Sequence, residues 1–495
     1  MTSPVRFLSV VRFSLSVLSL GAGVSCAPRG GSMDPLWASI STVPCRYRLP
    51  SGQTEGQSVT CADVTVFEDE PGGATVQLHI ARFRSSHASA PSATATLFLQ
   101  GGPGTHAQSE LSTLTPERLR TFTAAGDYIV FDQRGAGTAR PALECEAAAS
   151  AVGGPARTRA LIACAERLRS SGVRTAAYDS EHIARDIEAM RRALGLSQIN
   201  LVARSYGTRV ALEVLRRYER SVRAVVLDAP VPPDVPVWAE QARSFEASLR
   251  ALTAECAQSS ECSARYPAID AQLLAAAPQL DAQPLTVDIG IATIPLDGAT
   301  LLGAVGLALY RRETYPALPL IIDAARRRDA NTLGAALREF VNAETLSNAG
   351  ASLAMNQIVT CNDSVQYFDD DATVARHESG VDPRIRQHFS SLYVSVVRDA
   401  CRASGPVARA GVTDPVRSSV PTLLLSGAID PVVSPAYAPH INETLSRGVA
   451  LTFARVGHGA IETPCGAQIT ERFLVTPESS VDGSCSQQTP AIAFR

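Results

Sequence analysis

The sequence predicts an α/β fold, a mostly parallel sheet flanked by helices with a helical domain inserted into it, and three observations carry that prediction. Short apolar runs at 94–99, 128–131, 199–202 and 222–228 alternate with helical spacing at 180–194, where Ile183, Ile187, Met190 and Leu194 share one face. The runs at 94–99 and 128–131 lead into glycine-rich loops, Gly101-Gly102-Pro103-Gly104 and Asp132-Gln133-Arg134-Gly135. Beyond Pro230-Val231-Pro232-Pro233 the spacing turns helical to about residue 417, and strand-like runs return at 422–426 and 450–456.

Taken in order, the chain begins with Arg6 and Arg12, an apolar stretch over 13–24 and then Ser25-Cys26, the composition of an export signal too short to span a bilayer as a mature helix. Gly23-Val24-Ser25-Cys26 resembles a bacterial lipobox, in which Cys26 would carry lipid. Gly23 stands where such a box prefers a leucine-like residue, so lipidation and plain cleavage both stay open. A polar arm rich in Pro and Gly follows over 27–60. Strands at 64–66 and 75–83, the second alternating Val76, Leu78 and Ile80 with Gln77, His79 and Ala81, are expected to form an antiparallel hairpin. The expected division is an export signal at 1–26, an arm at 27–60, a core at 61–230 and 418–495, and a helical cap at 231–417 with helices near 237–257, 297–312, 318–328 and 332–346.

A chain of 495 residues can bury a large core, or two to three smaller ones. A formal net charge of −3 without any long single-sign run gives no electrostatic footprint for nucleic acid. All 45 basic residues are arginine, which excludes a Ser-Lys dyad, a Schiff base and a P-loop lysine. Of the 11 cysteines, Cys26 stands apart and the others fall into close couples: Cys45 with Cys61, Cys145 with Cys164, Cys256 with Cys262, Cys361 with Cys401, and Cys465 with Cys485. Short loops close with the least entropy loss, so these couples are the expected disulfides of a protein in an oxidising compartment. The sequence has neither C-x-x-C nor H-E-x-x-H, and no metal or cofactor is expected.

The chemistry centres on Ser205. The apolar run before it reads as a buried strand and residues 208–218 read as a helix, so Ser205 falls in a strand-to-helix turn of the nucleophile-elbow kind, at a helix N-terminus that favours developing negative charge. Gly207 supplies the small residue on the helix side, whereas Ala203 stands where the usual pattern has its first glycine. Asp430 follows the strand at 422–426, and His458 lies in Gly457-His458-Gly459 after the strand at 450–456, which puts both at the sheet edge where open α/β sheets bind ligands. The order Ser205, Asp430, His458 is the order of the α/β-hydrolase fold, and it differs from the orders of two unrelated serine protease folds.

Together with these three positions, Gly101-Gly102-Pro103-Gly104, Asp132-Gln133-Arg134-Gly135 and Gly427-Ala428-Ile429-Asp430-Pro431 resemble the proline iminopeptidase and tripeptidyl aminopeptidase branch of the α/β-hydrolases, over most of the chain. Cys361-Asn362-Asp363 and the Cys465 to Cys485 segment look like the exported tripeptidyl aminopeptidases of that branch. Gln100 and Ala203-Arg204 depart from it, where a histidine and two glycines are usual.

The resemblance implies an exported serine hydrolase that releases a residue or short peptide from a free N-terminus. The alternative on the same fold is a carboxylesterase or amide hydrolase acting on small molecules, and a third reading is a catalytically silent binding lipoprotein. Haloalkane dehalogenase and epoxide hydrolase chemistry is excluded, because it needs an aspartate nucleophile. The partner is a peptide or small-molecule substrate, with membrane contact only through a lipid on Cys26. The backbone N–H of Tyr206 is the first oxyanion donor expected and Gly102 the second, with Gly101 left open. A free substrate amine needs a buried carboxylate, for which Asp363 is the first candidate and Glu240 and Glu246 on the first cap helix are the others.

Overall fold

In a computed structural model of the chain, the described residues are 34–85, 93–149, 154–290, 292–347, 350–364, 371–389, 396–406 and 409–495. The expected export signal and Cys26 lie outside them. Nine strands form one sheet: β1 (Ala38–Thr42), β2 (Val59–Phe67), β3 (Thr75–Phe83), β4 (Thr94–Leu99), β5 (Asp127–Phe131), β6 (Gln198–Arg204), β7 (Val222–Asp228) and, after a two-stranded hairpin of β8 (Leu285–Asp288) and β9 (Thr293–Leu296), β10 (Thr422–Gly427) and β11 (Gly448–Phe453). Their order is β1-β2-β3-β5-β4-β6-β7-β10-β11. The pairs among β1, β2, β3 and β5 are antiparallel, and every pair from β5 through β11 is parallel. This is the mostly parallel α/β-hydrolase sheet that the sequence predicts. Parallel strands with helices on both faces must be apolar on both, and in β5 all five residues are buried.

Two features escape the sequence reading. The arm at 27–60 contains β1, which extends the sheet by pairing with β2 from Ala38↔Val66 to Thr42↔Ala62. Its burial pattern is almost wholly exposed, so no hydrophobic alternation marks it. The helical insertion also carries the β8–β9 hairpin, whose strands of four residues are too short for a periodicity to register.

The cap helices pack on a cluster of their own around Phe245, Leu249, Leu273, Leu301, Val305 and Ile322. The helix Leu353–Ser364, counted with the cap from sequence, instead joins the core cluster through Ala354, Met355, Ile358 and Val359. It is laced to the glycine-rich loop after β4: Ser352 N donates to Gly104 O at 2.9 Å, His106 N to Gly350 O at 2.9 Å, and Asn356 Nδ2 to Pro103 O at 3.1 Å. Asn362 Nδ2 donates to the carbonyls of Thr175 and Tyr178 at 2.8 and 2.9 Å. The five expected couples, Cys45–Cys61, Cys145–Cys164, Cys256–Cys262, Cys361–Cys401 and Cys465–Cys485, are disulfides in the structure.

The Asp132-Gln133-Arg134-Gly135 loop is a structural knot. Asp132 Oδ1 accepts the Ala107 N–H at 2.7 Å, while Oδ2 accepts from Thr138 N, Thr138 Oγ1 and Tyr47 Oη at 2.8, 2.7 and 3.1 Å. Gln133 Nε2 donates to Gln100 O at 3.0 Å, and the wholly buried Arg134 pairs with Asp186. Buried charges and amides need such saturation, since each missing partner leaves its desolvation uncompensated.

Candidate active site

The turn after β6 forces Ser205 to φ 54°, ψ −129°, a strained conformation costing about 1–3 kcal/mol that the surrounding structure must hold. Three backbone bonds clamp it: Ser205 N donates to Asp228 O at 2.9 Å, and Ser205 O accepts from Thr208 N at 2.9 Å and from Thr208 Oγ1 at 2.5 Å. Glycine is required next to this bend. A Cβ on Gly207 would lie 2.1 Å from Leu99 O, and one on Gly101 would lie 2.8 Å from the Cβ of Ser205. The helix Tyr206–Tyr218 begins immediately after the serine, so the Tyr206 N–H is the first of its unpaired N-terminal donors.

His458 and Asp430 meet at the C-terminal edge of the same sheet. His458 Nδ1 is 2.7 Å from Asp430 Oδ2, and Asp430 Oδ1 accepts the N–H groups of Val432 and Val433, both at 2.9 Å. The His458 N–H donates to Tyr310 O at 2.9 Å, and the Tyr310 ring lies 5.0 Å from the imidazole. Burial by itself would lower the imidazole pKa, but the charge of Asp430 and its hydrogen bond, with Asp228 behind them, outweigh burial and raise it.

Asp228 and its partner Arg204 are the part of the site that sequence reasoning missed. Asp228 ends β7 and is wholly buried; its backbone oxygen holds Ser205 N, while its Oδ1 accepts the N–H groups of Ala460 and Ile461, just past His458, at 2.8 and 3.4 Å. One residue, through its backbone and its carboxylate, thus ties the serine turn to the histidine loop. Its Oδ2 faces Arg204 Nε at 3.3 Å, and Arg204 Nη1 reaches Glu462 at 2.8 Å. Burial raises the Asp228 pKa against the pull of Arg204 and His458. The departure from the family pattern at Arg204 therefore has a partner, a buried acid beneath the histidine. The signal was present as an aspartate closing an apolar strand, a position that also suits a turn residue.

A cavity of about 280 Å³ opens over the serine. Ser205, Tyr206, Gly102 and Pro103 form its floor, and Val231, Val235, Trp238 and Val432 give it an apolar wall. Asp363 also lines it, as an anchor for an amine would. Its oxygens are already engaged, however: Oδ1 accepts from Ser180 N and Oγ at 3.1 and 3.0 Å, and Oδ2 accepts from Tyr206 Oη at 3.2 Å and faces Arg209 Nε at 3.4 Å. Burial pushes this carboxyl up to about 6 despite Arg209. A guanidinium thus already faces Asp363, and the carboxylate also holds the Tyr206 hydroxyl, a contact that sequence reasoning did not foresee. Glu240 and Glu246 are not among the cavity's lining residues. Glu240 binds His377 and Tyr437 at 2.6 and 3.0 Å, and Glu246 binds the Asp382 N–H at 3.1 Å and Arg250 at 2.9 Å. Glu240 thus ties the cap to Tyr437 of the core, and the contacts of Glu246 stay within the cap.

Two family models match parts of the chain. The family model for the alpha/beta hydrolase fold matches residues 97–264, which include Ser205, and the model described as TAP-like protein matches 388–485, which include Asp430 and His458. The chain has the α/β-hydrolase fold, with a TAP-like segment over 388–485. This α/β-hydrolase is 27% identical to the serine protease Hip1 of Mycobacterium tuberculosis over 249 residues, 45% of this chain and 46% of that protein. It is 30% identical to the putative hydrolase YuaR of Escherichia coli over 253 residues, 47% of this chain and 48% of the other. With carboxylesterase B of Mycobacterium tuberculosis the identity is 32% over 236 residues, 42% and 44% of the two chains. The matched part thus spans less than half the length of each relative. Among solved structures, the proline iminopeptidase of Mycobacterium smegmatis aligns over 81% of this chain and 95% of its own with 14% identity and a TM-score of 0.39.

Proposed function

We propose that the protein is an exported serine hydrolase, an aminopeptidase that releases a residue or short peptide from free N-termini through an acyl-enzyme on Ser205. The observation that carries the reading is the strained serine at the floor of a cavity, on the sheet edge that also bears the His458–Asp430 pair. In this reading His458 takes the proton of the Ser205 hydroxyl as the oxygen attacks the carbonyl carbon, and Asp430 holds the imidazole and stabilises its cation. The Tyr206 and Gly102 N–H groups carry the negative oxygen of the tetrahedral intermediate. His458 then gives the proton to the leaving amine, and water repeats the sequence to free the acid. Five disulfides suit an oxidising compartment, which supports export.

The TAP-like match and the likeness to Hip1 favour peptides. The Arg209 guanidinium already facing Asp363 and the likeness to carboxylesterase B support a second reading, in which the substrate is a neutral ester or amide. Purified protein should react with a fluorophosphonate probe and cleave N-free tripeptidyl amides faster than their N-blocked counterparts. Preference for blocked amides or short acyl esters would assign it to the esterase reading, and failure to react with the probe would leave only a binding protein.

The pH dependence offers a separate check. His458 must be neutral to act as base, so activity is expected to fall below a pKa that lies above the ordinary histidine value. Asp228→Asn keeps an acceptor for the Ala460 and Ile461 N–H groups but removes a charge that raises the His458 pKa. The acid limb of kcat/KM should therefore move to lower pH in that variant, and an unmoved limb would show that Asp228 acts on the loop's position alone.

A further inference from the structure

A second cavity of about 70 Å³ lies against the first and shares three of its walls, Gln241, Tyr310 and Val432. Phe245 and Phe389, with ring centroids 4.9 Å apart, form part of its apolar lining. It is kept open by the helix Gly298–Leu309, which presents Gly303 and Gly306 to the space. Residues three apart lie on one face of a helix, and glycine is among the poorest formers of a helix interior. Neither glycine is needed for close packing. A Cβ on Gly303 would meet nothing within 4 Å, and one on Gly306 would only touch the Phe245 ring, at 3.5 Å.

The position of this cavity relative to the reacting atoms assigns it a half of the substrate. Ser205, Tyr206 and Gly102 lie on the far cavity's floor, where the acyl carbon and its oxygen belong. The partition residue Tyr310 instead touches the His458 ring and holds the His458 N–H. His458 is the group that hands a proton to the departing atom. Resting on the serine hydrolase reading above, we propose that the second cavity is a subsite for the leaving half of the substrate, and that it takes a branched aliphatic side chain carried next to the departing amine.

The test keeps the acyl half constant and varies the leaving amine between glycine amide and leucine amide. The wild-type protein should cleave the leucine derivative with a kcat/KM about tenfold or more above that of the glycine derivative, the range one well-filled apolar pocket provides. Gly303→Leu and Gly306→Leu, which fill the cavity and favour the helix, should collapse that ratio towards one. Far-UV circular dichroism and fluorophosphonate labelling confirm that each variant is folded with a reactive serine. A wild-type ratio near one, or a ratio unchanged in both variants, overturns the subsite. A parallel arm does not depend on turnover: free leucine amide should slow fluorophosphonate labelling of the wild-type protein and not of the filled variants, and equal protection in all three also overturns it. Absence of labelling in the wild-type protein would instead overturn the serine hydrolase reading itself, so the two failures are distinct.

Discussion

Ser205→Ala is expected to lower turnover by on the order of 10⁶, leaving only what binding and oxyanion donors provide. The serine is held by its backbone, through Asp228 O and Thr208, so the turn does not depend on its hydroxyl. The variant should therefore unfold at the wild-type temperature while losing activity. A nucleophile and its base act as one unit, so His458→Ala should cost a comparable factor and the double variant little more than either alone. Retention of more than a few per cent of wild-type turnover in Ser205→Ala would remove the serine from the mechanism.

The largest expected effect on stability lies away from the site, at Arg134. Its guanidinium is wholly buried and saturated: Nε and Nη2 bind the two oxygens of Asp186 at 2.8 and 2.6 Å, Nη1 donates to Glu68 O and Ala177 O at 2.6 Å each, and Nη2 to Phe67 O at 3.3 Å. The side chain thereby joins the end of β2, the Thr175–Ala177 turn and the Ser180–Ala193 helix, with the Tyr178 ring 5.7 Å away. Removing one member of such a pair leaves the other charged in a dry interior, which costs about 3–5 kcal/mol. Asp186→Ala should lower the unfolding free energy by that amount, read from urea denaturation. Exchanging both partners for apolar residues, Arg134→Met with Asp186→Leu, should recover part of the loss, because no charge is then stranded. A single variant within about 0.5 kcal/mol of wild type would show that water reaches the pair.

These two sites mark different limits of the sequence. Asp132-Gln133-Arg134-Gly135 stands out as a motif, yet nothing local distinguishes a loop that touches substrate from one that ties three elements together. The answer depends on Asp186 and the carbonyls of Phe67, Glu68 and Ala177, which only folding brings to the arginine. Asp363 is the converse case. Its place in Cys361-Asn362-Asp363 pointed correctly to the cavity wall, but the charge it could offer depends on Arg209, Ser180 and Tyr206 from distant parts of the chain.

What the sequence determined by itself is what rests on local periodicity and chain order. The strands β4, β5, β6, β7 and β10 register as apolar runs because each is buried on both faces, and the serine turn registers because small residues must flank a bend packed against Leu99 O. The disulfide couples follow from short loop closure. The tertiary structure alone decided which charges are paired and which face the cavity. An ion pair in the interior joins residues far apart in sequence, as Asp228 joins Arg204 to the His458 loop, and electrostatic free energy depends on distance and burial, neither of which is written in the order of residues.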